Sequence, residues 1–127
     1  MTQYKVILPT GLKPLPSQYE MSAAELLVKY FQANVVFVPR SNRKTPDFII
    51  SGVEWELKSP PGCFFYNIRH QLQGGVQQSR CIVFDARRSK IHMTKIRHEL
   101  AYQFKYAKGV RRMILIEKTK KIVEILR

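Results

Sequence analysis

The chain has 127 residues, a length that suits one domain with its own core and excludes two. Hydrophobic residues make up 45%, which excludes a disordered chain, and 22 Lys and Arg against 9 Asp and Glu give a net charge of +13. This charge predicts attraction to nucleic acid first and anionic membrane second, but it does not by itself indicate catalysis.

The elements predicted from the N-terminus begin with a short strand over Tyr4–Leu8. A turn-rich connector follows, and a helix opens at Ser17, with Glu20 in the capping-box position, and runs to about Ala33. The β-branched and aromatic run "VVFVP" is typical of a buried strand that ends at Pro39.

The second half of the chain is predicted to continue with a hairpin, "DFII" and "VEWELK", around a turn at Ser51-Gly52. Next come a helix over about Phe64–Ser79 and the buried strand "CIVF". The chain is then predicted to end with a helix over Ile91–Lys108, closed by Gly109, and the strand pair "RMILIEK" and "KIVEIL". The order (β)αβββαβαββ predicts a single α/β domain.

No secretion signal is predicted, because the N-terminus lacks a basic segment followed by a long apolar run. No membrane span is predicted, because no apolar stretch approaches ~20 residues. Cys63 and Cys81 lack the spacing of a zinc site or a redox pair. Cys81 is predicted to be a buried thiol, and a disulfide between the two stays open. We therefore expect a chain that acts in a cytoplasm and does not bind membranes.

The hairpin turn sets the register of the two strands. It pairs Ile50 with Val53, Ile49 with Glu54, Phe48 with Trp55 and Asp47 with Glu56. Because side chains alternate along a strand, Trp55 falls on an apolar side. Asp47, Glu56 and Lys58 cluster at one end of the polar side, and Glu54 lies nearer the turn.

This cluster has two interpretations. Two carboxylates about 5 Å apart repel each other unless a cation lies between them, and a hard divalent ion accepts such oxygen ligands. With Lys58 beside Asp47 and Glu56, the group would be a minimal site for metal-assisted phosphodiester hydrolysis. The alternative is a solvated, salt-bridged face of an edge ribbon.

A further acid could come from the helix before the hairpin, where Glu20 and Glu25 compete. Glu20 shares the helix face of Ala24, Leu27 and Phe31, so it is predicted to point toward the sheet. Glu25 is predicted to point to solvent. Glu20 is therefore the better choice, although it could equally serve as the capping partner of Ser17.

The chain resembles the PD-(D/E)xK nuclease superfamily in the order and spacing of three features: Glu20, Pro46-Asp47 and the "ELK" of residues 56–58. The segment from about Arg40 to Lys90, above all "WELKSP" to "DARRSK", resembles the C-terminal tRNase family of contact-dependent growth inhibition CdiA toxins. The resemblance implies a restriction-endonuclease-like core over about residues 17–85, with a mixed central sheet flanked by helices. The helix and strand pair of residues 91–127 would complete one nuclease domain.

The resemblance also implies roles for individual residues. Asp47, Glu56, the Leu57 carbonyl and Glu20 would hold a divalent metal, Mg²⁺ first, with Mn²⁺ or Zn²⁺ as alternatives. Lys58 would orient the attacking water or stabilise the transition state.

Nucleic-acid contacts are expected from two groups of residues. By resemblance, Asn67 and Gln77 would face the site from the predicted helix over Phe64–Ser79, although Gly74-Gly75 departs from the helix formers usual there. The basic side chains flanking the motif could contact phosphates: Arg40, Arg43, Lys44, Arg87 and Arg88.

Three functions follow from these features. The first is a metal-dependent RNA endonuclease acting as a toxin module, and the resemblance favours tRNA as its substrate. The second is a DNA endonuclease of the same fold, and the third is a non-catalytic basic RNA-binding protein. A toxin would need a neutralising partner, and the charge of +13 favours an acidic immunity protein. Such a toxin could act in the cytoplasm of a target cell.

Overall fold

The computed structural model describes residues 3–40, 45–62, 81–106 and 109–126. In this part of the chain seven strands form one mixed sheet, and their spatial order follows the order of the chain. Two helices accompany the sheet. The elements are β1 (Val6–Ile7), α1 (Gln18–Phe31), β2 (Val35–Phe37), β3 (Phe48–Ile50), β4 (Val53–Lys58), β5 (Cys81–Asp85), α2 (Met93–Tyr106), β6 (Arg112–Ile116) and β7 (Ile122–Ile125).

Helix α1 begins as its sequence predicts. The Ser17 hydroxyl accepts from the Glu20 N–H, and the Glu20 carboxylate accepts from the Ser17 N–H, which completes the capping box. The helix ends at Phe31, two residues before the predicted end, because Gln32 adopts the left-handed conformation with φ of 52°.

The predicted hairpin register is confirmed for the three pairs of the ladder: Ile50 with Val53, Ile49 with Glu54, and Phe48 with Trp55. Ser51 and Gly52 both have positive φ, 50° and 78°. Two positive φ values are what a tight two-residue turn requires if it is to match the twist of the strands.

Strand β4 is not an edge strand, because β3 pairs with it antiparallel and β5 pairs with it parallel. This pairing places Glu56 beside Ile82 and Lys58 beside Phe84. Glu54 remains exposed, whereas only 4% of Glu56 is exposed. The interpretation of these charges as the solvated face of an edge ribbon is therefore wrong at the C-terminal end of the strand.

The two helices pack on opposite faces of the sheet. Val83 of β5 lies in the cluster that includes Leu27 of α1, whereas its neighbour Ile82 lies in the cluster that includes Leu100 of α2. Neighbouring strand residues point to opposite faces, so both faces of the central strands are covered. Complete burial of β5 follows, and its five residues are all apolar except Asp85.

The predicted mixed sheet and two of the predicted helices are confirmed. The predicted helix over Phe64–Ser79 lies outside the described residues, as does Cys63. Cys81 is buried on β5, as expected. Within the described ranges neither helix is both long and apolar enough to cross a membrane.

Candidate active site

A cavity of about 590 Å³ lies at the C-terminal end of β4. Five parts of the chain line it: the connector and first turn of α1, the end of β2 with the residues after it, the residues that lead into β3, the end of β4 with the two prolines that follow, and Arg88 after β5. Its lining includes Tyr19, Glu20, Arg40, Asp47, Glu56, Leu57, Lys58, Ser59 and Arg88.

Asp47 is fixed against β4 by hydrogen bonds of its backbone and side chain. Its N–H donates to the Trp55 carbonyl at 3.0 Å, and its Oδ2 accepts from the Leu57 N–H at 2.8 Å. These two bonds hold Asp47 against β4 beyond the end of the ladder, where its carboxylate interacts with that of Glu56. The structure therefore brings together the acid pair that the hairpin register predicts.

The two acids perturb each other. Burial raises the pKa of Glu56 to about 8, and the neighbouring Asp47 charge adds to this effect. Burial also raises the pKa of Asp47. The hydrogen bond from the Leu57 N–H stabilises the carboxylate and partly offsets this rise. Near neutral pH the pair therefore retains a proton unless a cation replaces it.

The surroundings of Glu56 fit a divalent cation. Its Oε1 lies 3.3 Å from Lys58 Nζ. Its Oε2 is buried without a hydrogen-bond partner among the described residues, which is costly for an ionised oxygen. Two carboxylates suffice for Mg²⁺, which keeps waters and takes its remaining ligands from substrate phosphate. Asp47 and Glu56 would hold such an ion, with the Leu57 carbonyl as the third expected ligand.

Glu20 lines the same cavity, but its carboxylate is engaged in the capping box at the start of α1. Its Oε1 accepts from the Ser17 N–H at 3.0 Å, while its charge still contributes to the raised pKa of Asp47. Glu25 is exposed, as predicted. No three His, Cys, Asp or Glu side chains of the described ranges form a group that could hold a metal ion. The structure thus places Glu20 near the acid pair and does not bring it into one cluster with them.

Replacing Glu20 by glutamine separates its two predicted roles. Glutamine can still cap Ser17, so the free energy of unfolding should change by less than about 0.5 kcal/mol. The carboxylate expected to help hold a metal would be lost, and the nucleic-acid cleavage that the family resemblance implies should fall about tenfold. Cleavage rates and urea midpoints of Glu20→Gln and of the exposed control Glu25→Gln would check this. Equal rates for the two variants would leave Glu20 with the capping role only.

The predicted nucleic-acid residues divide into three groups. Arg40 is exposed at the cavity, and Arg88 also lines it. Arg87 is instead committed to protein groups: it pairs with Asp85 at 2.7 Å and donates through Nη1 to Ser22 Oγ at 2.6 Å. The remaining residues lie outside the described part of the chain: Arg43, Lys44, Asn67 and Gln77.

Sequence reasoning missed three residues that shape this site. Tyr19 and Ser59 line the cavity, and Asp85 anchors the Arg87 side chain behind it. An acid at the end of a buried strand, followed two residues later by arginine, is the signal that could have identified Asp85. Tyr19 and Ser59 have no comparable signal, because their roles depend on contacts with Arg88 that are distant in sequence.

Comparisons with known proteins give two matches. The family model described as "Contact-dependent growth inhibition CdiA C-terminal domain" matches residues 44–122, more than half of the chain. A solved structure, "CdiA-CT/CdiI toxin and immunity complex from Burkholderia pseudomallei", matches with a TM-score of 0.72 and 22% identity. That alignment covers 98% of this chain and 100% of the other, and at this identity it shows the fold. No curated protein matches.

Proposed function

The chain belongs to the contact-dependent growth inhibition CdiA C-terminal domain family, and on that premise we propose that this toxin domain is a metal-dependent endonuclease. Its proposed substrate is RNA, with tRNA the first candidate. We further propose that helix α1 and strands β2 to β5 belong to a PD-(D/E)xK core.

The observation that supports catalysis most strongly is the acid pair of the buried Glu56 and the half-buried Asp47. Asp47 and Glu56 share one end of a cavity, and Glu56 Oε2 has no hydrogen-bond partner among the described residues. Burying two adjacent carboxylates destabilises the fold, and a strongly perturbed acid in a cleft is a signature of functional sites. A protein that only binds nucleic acid has no evident use for such a pair in a chain of charge +13.

In the proposed hydrolysis the water oxygen forms a new bond to phosphorus, the bond to the leaving sugar oxygen breaks, and that oxygen takes up a proton. A bound divalent ion would stabilise charge on the phosphoryl oxygens and lower the pKa of water. Asp47 and Glu56 would hold that ion. Lys58 orients the water or neutralises developing charge, and Arg40 and Arg88 attract the phosphates at the cavity.

The proposed partner is an acidic immunity protein. The similar Burkholderia pseudomallei chain comes from a complex of a toxin and an immunity protein. A surface of charge +13 would accelerate association with an acidic partner. We propose that the domain acts in the cytoplasm of a target cell.

The test incubates the purified domain with total tRNA and with plasmid DNA, in Mg²⁺ or Mn²⁺ and in EDTA. We expect metal-dependent cleavage of tRNA that falls to background in Asp47→Ala and Lys58→Ala. The matched control is Glu54→Ala, an exposed acid on the same strand, which should retain activity. Circular dichroism would establish that each variant is folded.

Other outcomes would contradict parts of the proposal. Cleavage of plasmid DNA alone would replace RNA by DNA as the substrate class. Salt-sensitive binding without cleavage, unchanged by Asp47→Ala and Lys58→Ala, would indicate a non-catalytic nucleic-acid-binding protein.

A further inference from the structure

Tyr19 is the exposed aromatic residue at the cavity. It lies in the first turn of α1, lines the cavity, and keeps 50% of its surface exposed. The guanidinium of Arg88 lies over its ring, with Cζ 4.5 Å from the ring centroid. One ring face is therefore covered by a cation while much of the side chain remains accessible.

Arg88 is held in place by the end of β4. Its Nη2 donates to the Ser59 carbonyl at 2.6 Å, and its Nε donates to Ser59 Oγ at 3.3 Å. Ser59 directly follows Lys58, so these two hydrogen bonds hold the stacked pair next to the proposed cleavage site. On the helix side, Arg87 binds Ser22 Oγ at 2.6 Å and holds the first turns of α1. The stacked pair is preorganised from both sides.

A fixed ring backed by a guanidinium suits a nucleobase. Bases stack on aromatic side chains with a gain of about 1–3 kcal/mol per base, and arginine can add a cation–π contribution. In an uninterrupted duplex both faces of a base are already stacked, so a protein ring can reach only a base that is unpaired or flipped out.

We infer that Tyr19 and Arg88 form a stacking site for an unpaired nucleobase beside the cleaved phosphodiester. The substrate class is then single-stranded or looped nucleic acid, and uninterrupted duplex is excluded. The inference rests on the proposed function in one respect: nucleic acid must enter the cavity that contains Asp47 and Glu56.

The test measures stacking separately from cleavage. A short single-stranded RNA containing 2-aminopurine, whose fluorescence is quenched by stacking, is titrated with the protein in EDTA. Variants are Tyr19→Leu, which removes the ring, and Tyr19→Phe, which keeps it. Tyr102→Leu is the matched control, because Tyr102 is 57% exposed on α2 and does not line this cavity. Circular dichroism checks that Tyr19→Leu retains the helices.

We expect the wild-type protein and Tyr19→Phe to quench the fluorescence alike. Tyr19→Leu should lose the quenching and bind about 5- to 150-fold more weakly. Tyr102→Leu should match the wild type, and a duplex of the same sequence should show no quenching. Wild-type quenching that survives in Tyr19→Leu, or disappears equally in Tyr102→Leu, would overturn the inference, as would wild-type protein that gives no quenching at all.

The cleavage assay is independent of these readings. Quenching that depends on Tyr19, in a protein that cuts no nucleic acid with any metal, would refute the proposed nuclease and leave the stacking site standing. Metal-dependent cleavage without such quenching would refute the stacking site and support the proposed nuclease.

Discussion

Replacing Glu56 by glutamine is expected to make the domain more stable and to remove the proposed nuclease activity. In EDTA at pH 8 the free energy of unfolding should rise on the order of 3 kcal/mol, while cleavage in Mg²⁺ should fall at least about 100-fold. Glutamine has the shape of the protonated acid and no charge to bury. It also lacks the anionic oxygen that would bind the metal.

The pH dependence gives the sign of this effect. An unfolded glutamate ionises near pH 4.5, whereas burial raises the pKa of Glu56 in the folded protein to about 8. Between these values the folded state holds a proton that the unfolded state has released. Wild-type stability should therefore fall as the pH rises from about 4.5 to 8, and burial of Asp47 acts in the same direction. Glu56→Gln should lose most of this dependence.

Urea unfolding at pH 4.5 and at pH 8 measures the difference in stability between Glu56→Gln and the wild-type protein. Glu54→Gln is the exposed control on the same strand. Mg²⁺ should raise the stability of the wild-type protein at pH 8, because a bound cation favours the ionised pair, and it should not stabilise Glu56→Gln. A stability difference that does not grow with pH would contradict the raised pKa. Equal stabilisation of both proteins by Mg²⁺ would contradict a metal site at Glu56.

Truncating Asp85 should produce the largest loss of stability, about 3–5 kcal/mol. Asp85 is 0% exposed, and its carboxylate accepts from Arg87 Nε at 2.9 Å and from Nη2 at 2.7 Å. Asp85→Ala would leave the mostly buried Arg87 guanidinium without its counter-charge. The total free energy of unfolding of such a domain is expected to be about 5–15 kcal/mol, so this loss would remove a large part of its stability.

A double-mutant cycle tests this pair. Asp85→Ala and Arg87→Ala should each destabilise strongly, and the double variant should lose much less than their sum, because neither charge remains uncompensated. The matched control is the more exposed pair of Arg112 and Glu124, where Glu124→Ala should cost less than about 1 kcal/mol. Losses of similar size at Asp85 and Glu124 would contradict a structural role for the buried pair.

Asp85 and Arg87 also connect stability to the proposed site. Arg87 reaches α1 at Ser22, and the first turn of that helix carries Tyr19 and Glu20. Loosening this contact should displace both side chains at the cavity. Asp85→Ala is therefore expected to weaken single-stranded RNA binding even at temperatures where the domain stays folded.

Local features of this chain were predictable from the sequence. The capping box of Ser17 and Glu20 specifies where α1 begins, and the turn at Ser51-Gly52 specifies the register that brings Asp47 next to Glu56. Each depends on residues a few positions apart, so backbone geometry and side-chain alternation are sufficient to derive them.

Only the tertiary structure decided how these residues are used. The parallel pairing of β4 with β5 buries Glu56 and changes a charged strand face into a perturbed acid pair. Contacts across 65 and 29 residues assign Arg87 to a structural network and Arg88 to the cavity. Burial and electrostatic coupling arise when distant segments pack together, and spacing along one chain does not encode them.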